Sequence, residues 1–422
     1  MSEKVLHVLM YGQPMGRLIA KGGAVTFHYE DRWRERPDSF PLSLSMPLSV
    51  KDHDNRVVNP YLWNLLPDND EVLRTWARNF GVRKNAFALL SFTGEDLPGA
   101  AQIVRPERLE ALAAEHEPVV QWLDEEQIAQ RLRELRVDRT AWLRPGDVGY
   151  FSLAGAQPKM ALHRQGDRWG IPSGRTPTTH ILKPPIPKLA GFAENEHFCL
   201  RLAREVGLPA ANSAVMRFAD EVAFVTERFD RVRVEDALIR VHTEDFCQAL
   251  AVLPERKYQN VGGPGPREIL GLLTDASTAP KEDCATFFDA LAFNYLIGGT
   301  DAHAKNYSLL IGPGQVRLAP LYDIASAFPY YERKRLKLAM KIGGHYELTY
   351  ITDRDWDELG ELSGLPVAGS ARVRELAGRI LARLPEFTAE LIDEGPSDSR
   401  LFLLRLEDAI ASFAASKLDL LS

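Results

Sequence analysis

Two acids and an amide in the second half of the chain are residue types that handle concentrated negative charge. Asp301 and Asn306 stand five residues apart in residues 298–306 (GGTDAHAKN), and a second acid, Asp323, follows in residues 322–326 (YDIAS). A carboxylate can take the proton of an attacking hydroxyl, and an amide oxygen with a second carboxylate supplies the hard ligands that Mg²⁺ prefers. Together they suit transfer of a phosphoryl group, which needs a base beside the incoming hydroxyl and a cation to neutralise charge. Asp301 is the candidate base; Asn306 and Asp323 are the candidate metal ligands. His303 admits a competing reading, a hydrolase metal site shared with Asp301 and Asp323. That reading needs more His or carboxylate ligands than the neighbourhood supplies. Otherwise His303 is a phosphate contact or a structural hydrogen-bonding group.

On its own, Asp-x-x-x-x-Asn is ordinarily a turn or a cap. What lifts it is the order of the elements around it. Residues 284–297 carry apolar side chains at helical spacing, and a hairpin is expected over 307–311 and 316–321 around Gly312-Pro313-Gly314. Helix, loop, hairpin and acid follow one another as the catalytic loop and the metal-binding acid do in protein kinases. Upstream, strands are expected at 148–152, 159–164, 169–171, 179–183 and 222–229, with a helix at 194–206. Lys183 ends one strand, where kinases place a phosphate-contacting lysine. Glu196, ahead of Glu194, is its expected partner, because Glu194 equally suits the positive end of the helix. Residues 152–159 (SLAGAQPK) form a loop whose small side chains let backbone N–H groups approach phosphates. Residues 224–230 (FVTERFD) suit a hinge whose backbone binds adenine while Phe229 packs its ring; a strand end with a salt bridge is the plainer alternative.

The 422 residues suggest two or three domains at roughly 150 residues each. Apolar residues make up 45% and charged residues 26%, which excludes a disordered chain. Acids outnumber bases, 58 to 51, so the chain itself is not expected to grip nucleic acid, which needs a basic surface. Cys199, Cys247 and Cys284 are too scattered for a metal or redox motif and read as buried reduced thiols. No apolar run resembles a signal peptide or a membrane span, so a cytoplasmic protein without membrane contact is expected. In the first block, strands are expected at 5–11, 16–19 and 24–29 and helices at 60–66 and 69–80, the second capped by Asp68 or Asn69 and ended by Gly81. A linker helix is expected at 124–135, and long helices at 372–384 and 400–418. The expected class is α+β, divided into 1–110, a linker and strand-rich nucleotide-binding lobe at 111–230, and a helical catalytic lobe at 231–422.

Ten strings occur in one consistent order: NLLPD (64–68), GEDLPGA (94–100), SLAGAQPK (152–159), TTHILKP (178–184), NE (195–196), ERFDR (227–231), EDFCQ (244–248), GGPG (262–265), LIGGTDAHAKN (296–306) and YDIAS (322–326). In these the chain resembles the HipA family of bacterial serine/threonine kinase toxins. The resemblance implies a HipA-like kinase fold that uses ATP and Mg²⁺, with Asp301 as catalytic base and Asn306 and Asp323 on the metal. It implies that Lys183 and the loop residues Ala154, Gly155, Ala156, Gln157 and Lys159 bind phosphates. Glu227, Arg228 and Phe229 would hold adenine, while His303, Lys305 and Tyr322 line the site. Ser152 would be an autophosphorylation site, and the added charge would expel its own loop and switch the enzyme off. Pro158 stands where an acid can occur in the family and stiffens the loop. The implied partners are a helix-turn-helix antitoxin, operator DNA reached through it, and a protein substrate, an aminoacyl-tRNA synthetase such as glutamate–tRNA ligase. A catalytically silent ATP-binding co-repressor and a small-molecule kinase on the same fold are the alternatives.

Overall fold

A computed structural model describes residues 3–115, 118–235, 237–395 and 399–419. The chain forms two compact units from interleaved stretches. The first is Met1–Pro184, Arg217–Glu255 and Leu309–Gln315; the second is Pro185–Met216, Arg256–Ser308 and Val316–Ser422.

The first unit opens with an antiparallel sheet in the order Asp52–His53, Ala24–Tyr29, Gln13–Lys21, Lys4–Met10, Ala101–Val104. Val25, Phe27 and Tyr29 alternate onto its buried face, as the two-residue strand period requires. Helices Asn55–Asn64, Asp70–Asn79 and Ala86–Thr93 follow. Asn69, one of the two caps anticipated, accepts the Glu71 and Val72 N–H groups, and Gly81 takes φ +65° just past the helix end.

A second sheet contains, in order, Glu221–Glu227, His180–Lys183, Met160–Gln165, Arg168–Ser173 and Val119–Leu123. Helix Glu125–Val137 begins at a capping box of Asp124 and Gln127. Two expectations are corrected here. The linker ahead of the helix expected at 124–135 holds the strand Val119–Leu123, paired to Arg168–Ser173; residues 116 and 117 of that linker lie outside the described residues. Residues 148–152 form no strand. The Ser152 N–H bonds instead to the Asp96 carbonyl of a loop.

The second unit is helical: Phe192–Glu205, Pro266–Ala276, Pro280–Ile297, Asp353–Leu362, Gly369–Glu394 and Arg400–Asp419. Every residue from Phe287 to Ile297 is buried, so this helix is the core rather than an amphipathic cover. Aromatic rings lock it in, Tyr295 lying edge-on to Trp356 at 5.3 Å and to Phe413 at 5.2 Å between ring centroids. The helix expected at 372–384 continues through Pro385 to Glu394. The proline forfeits one backbone donor, and buried Phe387, Thr388 and Leu391 beyond it carry the helix on. All three cysteines are buried and, among the described residues, none is bridged. None of the described helices is long and apolar enough to cross a membrane.

Candidate active site

The core helix delivers the acidic loop. Its end at Gly298 takes φ +70°, where a Cβ would lie 2.6 Å from the Phe328 ring, so only glycine fits both the backbone and the space. Asp301 follows with its side chain exposed, whereas His303, Lys305 and Asn306 are buried. The loop is wound around the Asp301 carbonyl, which accepts the His303 N–H at 2.8 Å and the Asn306 side-chain Nδ2 at 2.8 Å. Lys305 is tied through its carbonyl, which accepts the Tyr322 hydroxyl at 2.7 Å; Tyr322 Oη also lies 2.7 Å from Ser308 Oγ.

Asp323 comes next, exposed and at φ +56°, a left-handed conformation that aspartate tolerates better than most side chains. The turn that holds it is fastened at Ser326. Asn195 Nδ2 donates to the Ser326 carbonyl at 2.7 Å, and the Ser326 N–H donates to Asn195 Oδ1 at 2.9 Å. Ser326 Oγ donates to the Ile297 carbonyl at 2.6 Å, and the Ala327 N–H to the Gly298 carbonyl at 2.9 Å. The Asp301 and Asp323 loops thus share one anchor, the end of the core helix. A residue that the spacing did not single out also reaches this site: the Tyr258 hydroxyl donates to Asp301 Oδ1, and its ring stands edge-on to His303 at 4.8 Å.

The donor set fits a hard divalent cation. With Asn306 Nδ2 committed to the Asp301 carbonyl, its other end is the oxygen Oδ1, and Asp323 adds a carboxylate on the next loop.

The remaining predicted residues belong to the first unit, except Glu194 and the buried Glu196, which stand on helix Phe192–Glu205 of the second. Lys183 is buried opposite Phe224 in the sheet, its Nζ 5.3 Å from that ring. The 152–159 loop is folded inward. Ser152 is fully buried and its hydroxyl donates to the Leu65 carbonyl at 2.7 Å; the Gly155 carbonyl accepts the Asp68 N–H at 3.0 Å. Lys159 Nζ donates to the Ala154 carbonyl at 2.6 Å. Gly155, at φ +102°, would place a Cβ 2.6 Å from that amine. Ala156 and Gln157 complete the turn.

Arg228 has a different post from a surface hinge. Its guanidinium is buried, donating to Asp230, to Thr178 Oγ1 and to the Leu97 carbonyl. Arg231 bridges Asp96 and Asp230, and Arg240 joins Asp96 at 2.8 Å. Burial works to raise the Asp230 carboxyl, but the flanking Arg228 and Arg231 outweigh it and hold the group well below its ordinary range. What this stretch exposes to solvent is Glu227 and part of Phe229; the Arg228 backbone is bonded within the protein, its N–H to the Thr179 carbonyl at 2.9 Å and its carbonyl to the Arg231 N–H at 3.1 Å. Sequence reasoning missed Tyr258 and Asp96 as individuals, although Asp96 lay inside a quoted string; their partners are 43 and 135 residues away, beyond any local pattern.

Comparison with known proteins matches residues 6–104 to the HipA N-terminal domain and residues 151–386 to the HipA-like C-terminal domain. The chain belongs to the HipA family. It is 36% identical over 398 residues to "Putative kinase Y4mE" of Sinorhizobium fredii, covering 93% of this chain and 92% of that protein. It is 30% identical over 424 residues to the serine/threonine-protein kinase toxin HipA of Shewanella oneidensis, covering 95% and 90%. Among solved structures it is similar to the Shewanella oneidensis HipA, HipB and operator DNA complex, with TM-score 0.83, 27% identity, and coverage of 98% and 97%. The fold is therefore that of HipA, with a strand-rich N-terminal region and a helical C-terminal part, as the resemblance implied.

Proposed function

We propose that this HipA-family chain is a toxin kinase that transfers the γ-phosphoryl group of ATP to a serine or threonine of a protein. The observation that carries the reading is the shared anchoring of the Asp301 and Asp323 loops at the end of the core helix. Asp301 accepts the proton of the acceptor hydroxyl as that oxygen bonds to the γ-phosphorus and the bond to the ADP oxygen breaks. Asn306 and Asp323 are the residues to hold Mg²⁺, which when bound neutralises charge on the phosphates. Lys183, Lys159 and the backbone of the 154–157 loop bind phosphates; Glu227 and Phe229, the exposed members of the 227–229 stretch, hold adenine. His303, Lys305 and Tyr322 keep the loop in shape.

The regulatory part of the reading concerns Ser152. A phosphate has no room where the hydroxyl now meets the Leu65 carbonyl. Autophosphorylation therefore requires the loop to leave its seat, and the dianion then bars its return. The protein target is read as an aminoacyl-tRNA synthetase such as glutamate–tRNA ligase, a reading supported by the family resemblance. The partner is a helix-turn-helix antitoxin. Association with operator DNA through that partner accords with the net charge of −7 and with the Shewanella complex.

The test is phosphate transfer from labelled ATP by the purified chain, with phosphoproteomics of cells expressing wild type or Asp301→Asn. Wild type is expected to label one dominant protein and, on its own, Ser152; Asp301→Asn is expected to label neither. Equal labelling by Asp301→Asn would overturn the mechanism. Nucleotide binding without transfer by wild type would favour the silent co-repressor.

A further inference from the structure

We propose that Tyr258 is a positioning residue for Asp301, acting through its hydroxyl; this rests on reading Asp301 as the base. A carboxylate has two oxygens and a soft torsion, and a donor bonded to one of them sets the direction of the other. Tyr258 is that donor, on Oδ1.

The segment that carries it is built to deliver this contact. The Lys257 carbonyl accepts the Ala304 N–H at 3.3 Å, joining the segment to the acidic loop itself. The Tyr258 carbonyl accepts the Val261 N–H at 3.1 Å and the Gly263 N–H at 3.0 Å. Gln259 Oε1 accepts the Lys341 N–H at 2.7 Å. The GGPG string at 262–265 makes this turn feasible: Gly262 takes φ +88°, and a Cβ on Gly263 would fall 1.9 Å from the Arg256 carbonyl. Backbone bonds and the edge-on contact with His303 at 4.8 Å therefore hold the ring independently of its hydroxyl. The hydroxyl has its own task, and deleting it alone isolates that task.

The experiment measures initial rates with labelled ATP and the Ser/Thr peptide that wild type labels fastest in a degenerate library. It compares wild type with Asp301→Asn, Tyr258→Phe, Tyr258→Leu and Gly263→Ala. Tyr258→Phe is expected to lower kcat by about 10- to 100-fold, the range of a hydrogen bond to a charged group, with both KM values within about twofold and an unchanged melting temperature. Gly263→Ala is expected to reproduce that loss, and the double variant to lose no more than either single one. Wild-type kcat in Tyr258→Phe with loss only in Tyr258→Leu would reduce the ring to packing and overturn the proposal. A matching rise in the KM for ATP, or additive losses in the double variant, would overturn it too. If Asp301→Asn is as fast as wild type, or wild type labels no peptide, the reading of the base has failed instead.

Discussion

Asn195 and Ser326, 131 residues apart, exchange two hydrogen bonds, side-chain amide to main chain in both directions. Both residues are buried, and the pair fixes the Asp323 turn to helix Phe192–Glu205. Asn195→Leu strands a buried N–H and a buried carbonyl, so it is expected to cost about 2–4 kcal/mol in urea unfolding. In the folded fraction it should also raise the Mg²⁺ concentration needed for half-maximal phosphoryl transfer. An unchanged Mg²⁺ requirement would mean that the turn keeps its place without the amide.

Asp323 combines a chemical and a conformational demand, and substitutions separate them. Asn tolerates the left-handed backbone and removes the charge. Asp323→Asn is therefore expected to keep the melting temperature and lose phosphoryl transfer. Asp323→Val is expected to lose activity and also roughly 1–2 kcal/mol of stability, because a β-branched side chain resists φ +56°. Thermal melts beside a transfer assay read both effects.

Stability should fall on both sides of neutrality. Burial pulls His180, His197 and His242 down to about 4 from an ordinary 6.5. His242 is held neutral between a Leu42 carbonyl at 2.9 Å and the Ala100 N–H at 3.5 Å. The unfolded chain binds these protons below 6.5 and the folded chain does not, so stability is lost as pH falls from 6.5 towards 4. Glu244 runs the other way. Burial raises it to about 8 from 4.5, so the folded chain keeps a proton that the unfolded chain has released, and stability is lost as pH rises from 4.5 to 8. Urea unfolding across this range should show both limbs, and Glu244→Gln should flatten the loss above pH 6.5 and steepen the loss between 6.5 and 4.5, where Glu244 opposes the histidines. A Glu244→Gln profile parallel to wild type would count against the buried neutral acid.

A charge placed at Ser152 should act as the phosphate does. Ser152→Asp is expected to expel the 152–159 loop from its bonds to Leu65, Asp68 and Asp96. Faster hydrogen exchange across that loop and a fall in kinase activity are the readouts; native-like protection in Ser152→Asp would refute the seat described here.

The long apolar helix, the hairpin after it and the alternating strands of the first sheet were legible because each carries its own period. Residues 148–152 looked like a strand by composition, yet their backbone partner is a loop carbonyl at Asp96, which no local pattern encodes. Val119–Leu123 is short and only partly buried, so its polar flanks masked a strand that pairing to Arg168–Ser173 stabilises. Pro385 signalled a stop that burial on its far side overrides. In the candidate site, the order of core helix, loop and later turn that carries Asp301, Asn306 and Asp323 was readable from spacing. Arg228 was readable as a string member but not as a buried ion, because its fate depends on Asp230 and on the distant Thr178 and Leu97.

The cluster around Asp96 bears on how this chain can be cut or recombined. Three guanidiniums, from Arg228, Arg231 and Arg240, share two carboxylates, and one of those, Asp96, comes from the stretch matched as the N-terminal domain. Severing the chain between residues 104 and 151 and discarding the front piece would leave the three guanidiniums with Asp230 as the cluster's one carboxylate, and Arg240 without its ion-pair partner Asp96. A chimera that grafts another protein's front piece onto this back half must therefore import a carboxylate at the same point, or the graft will meet uncompensated positive charge at its seam.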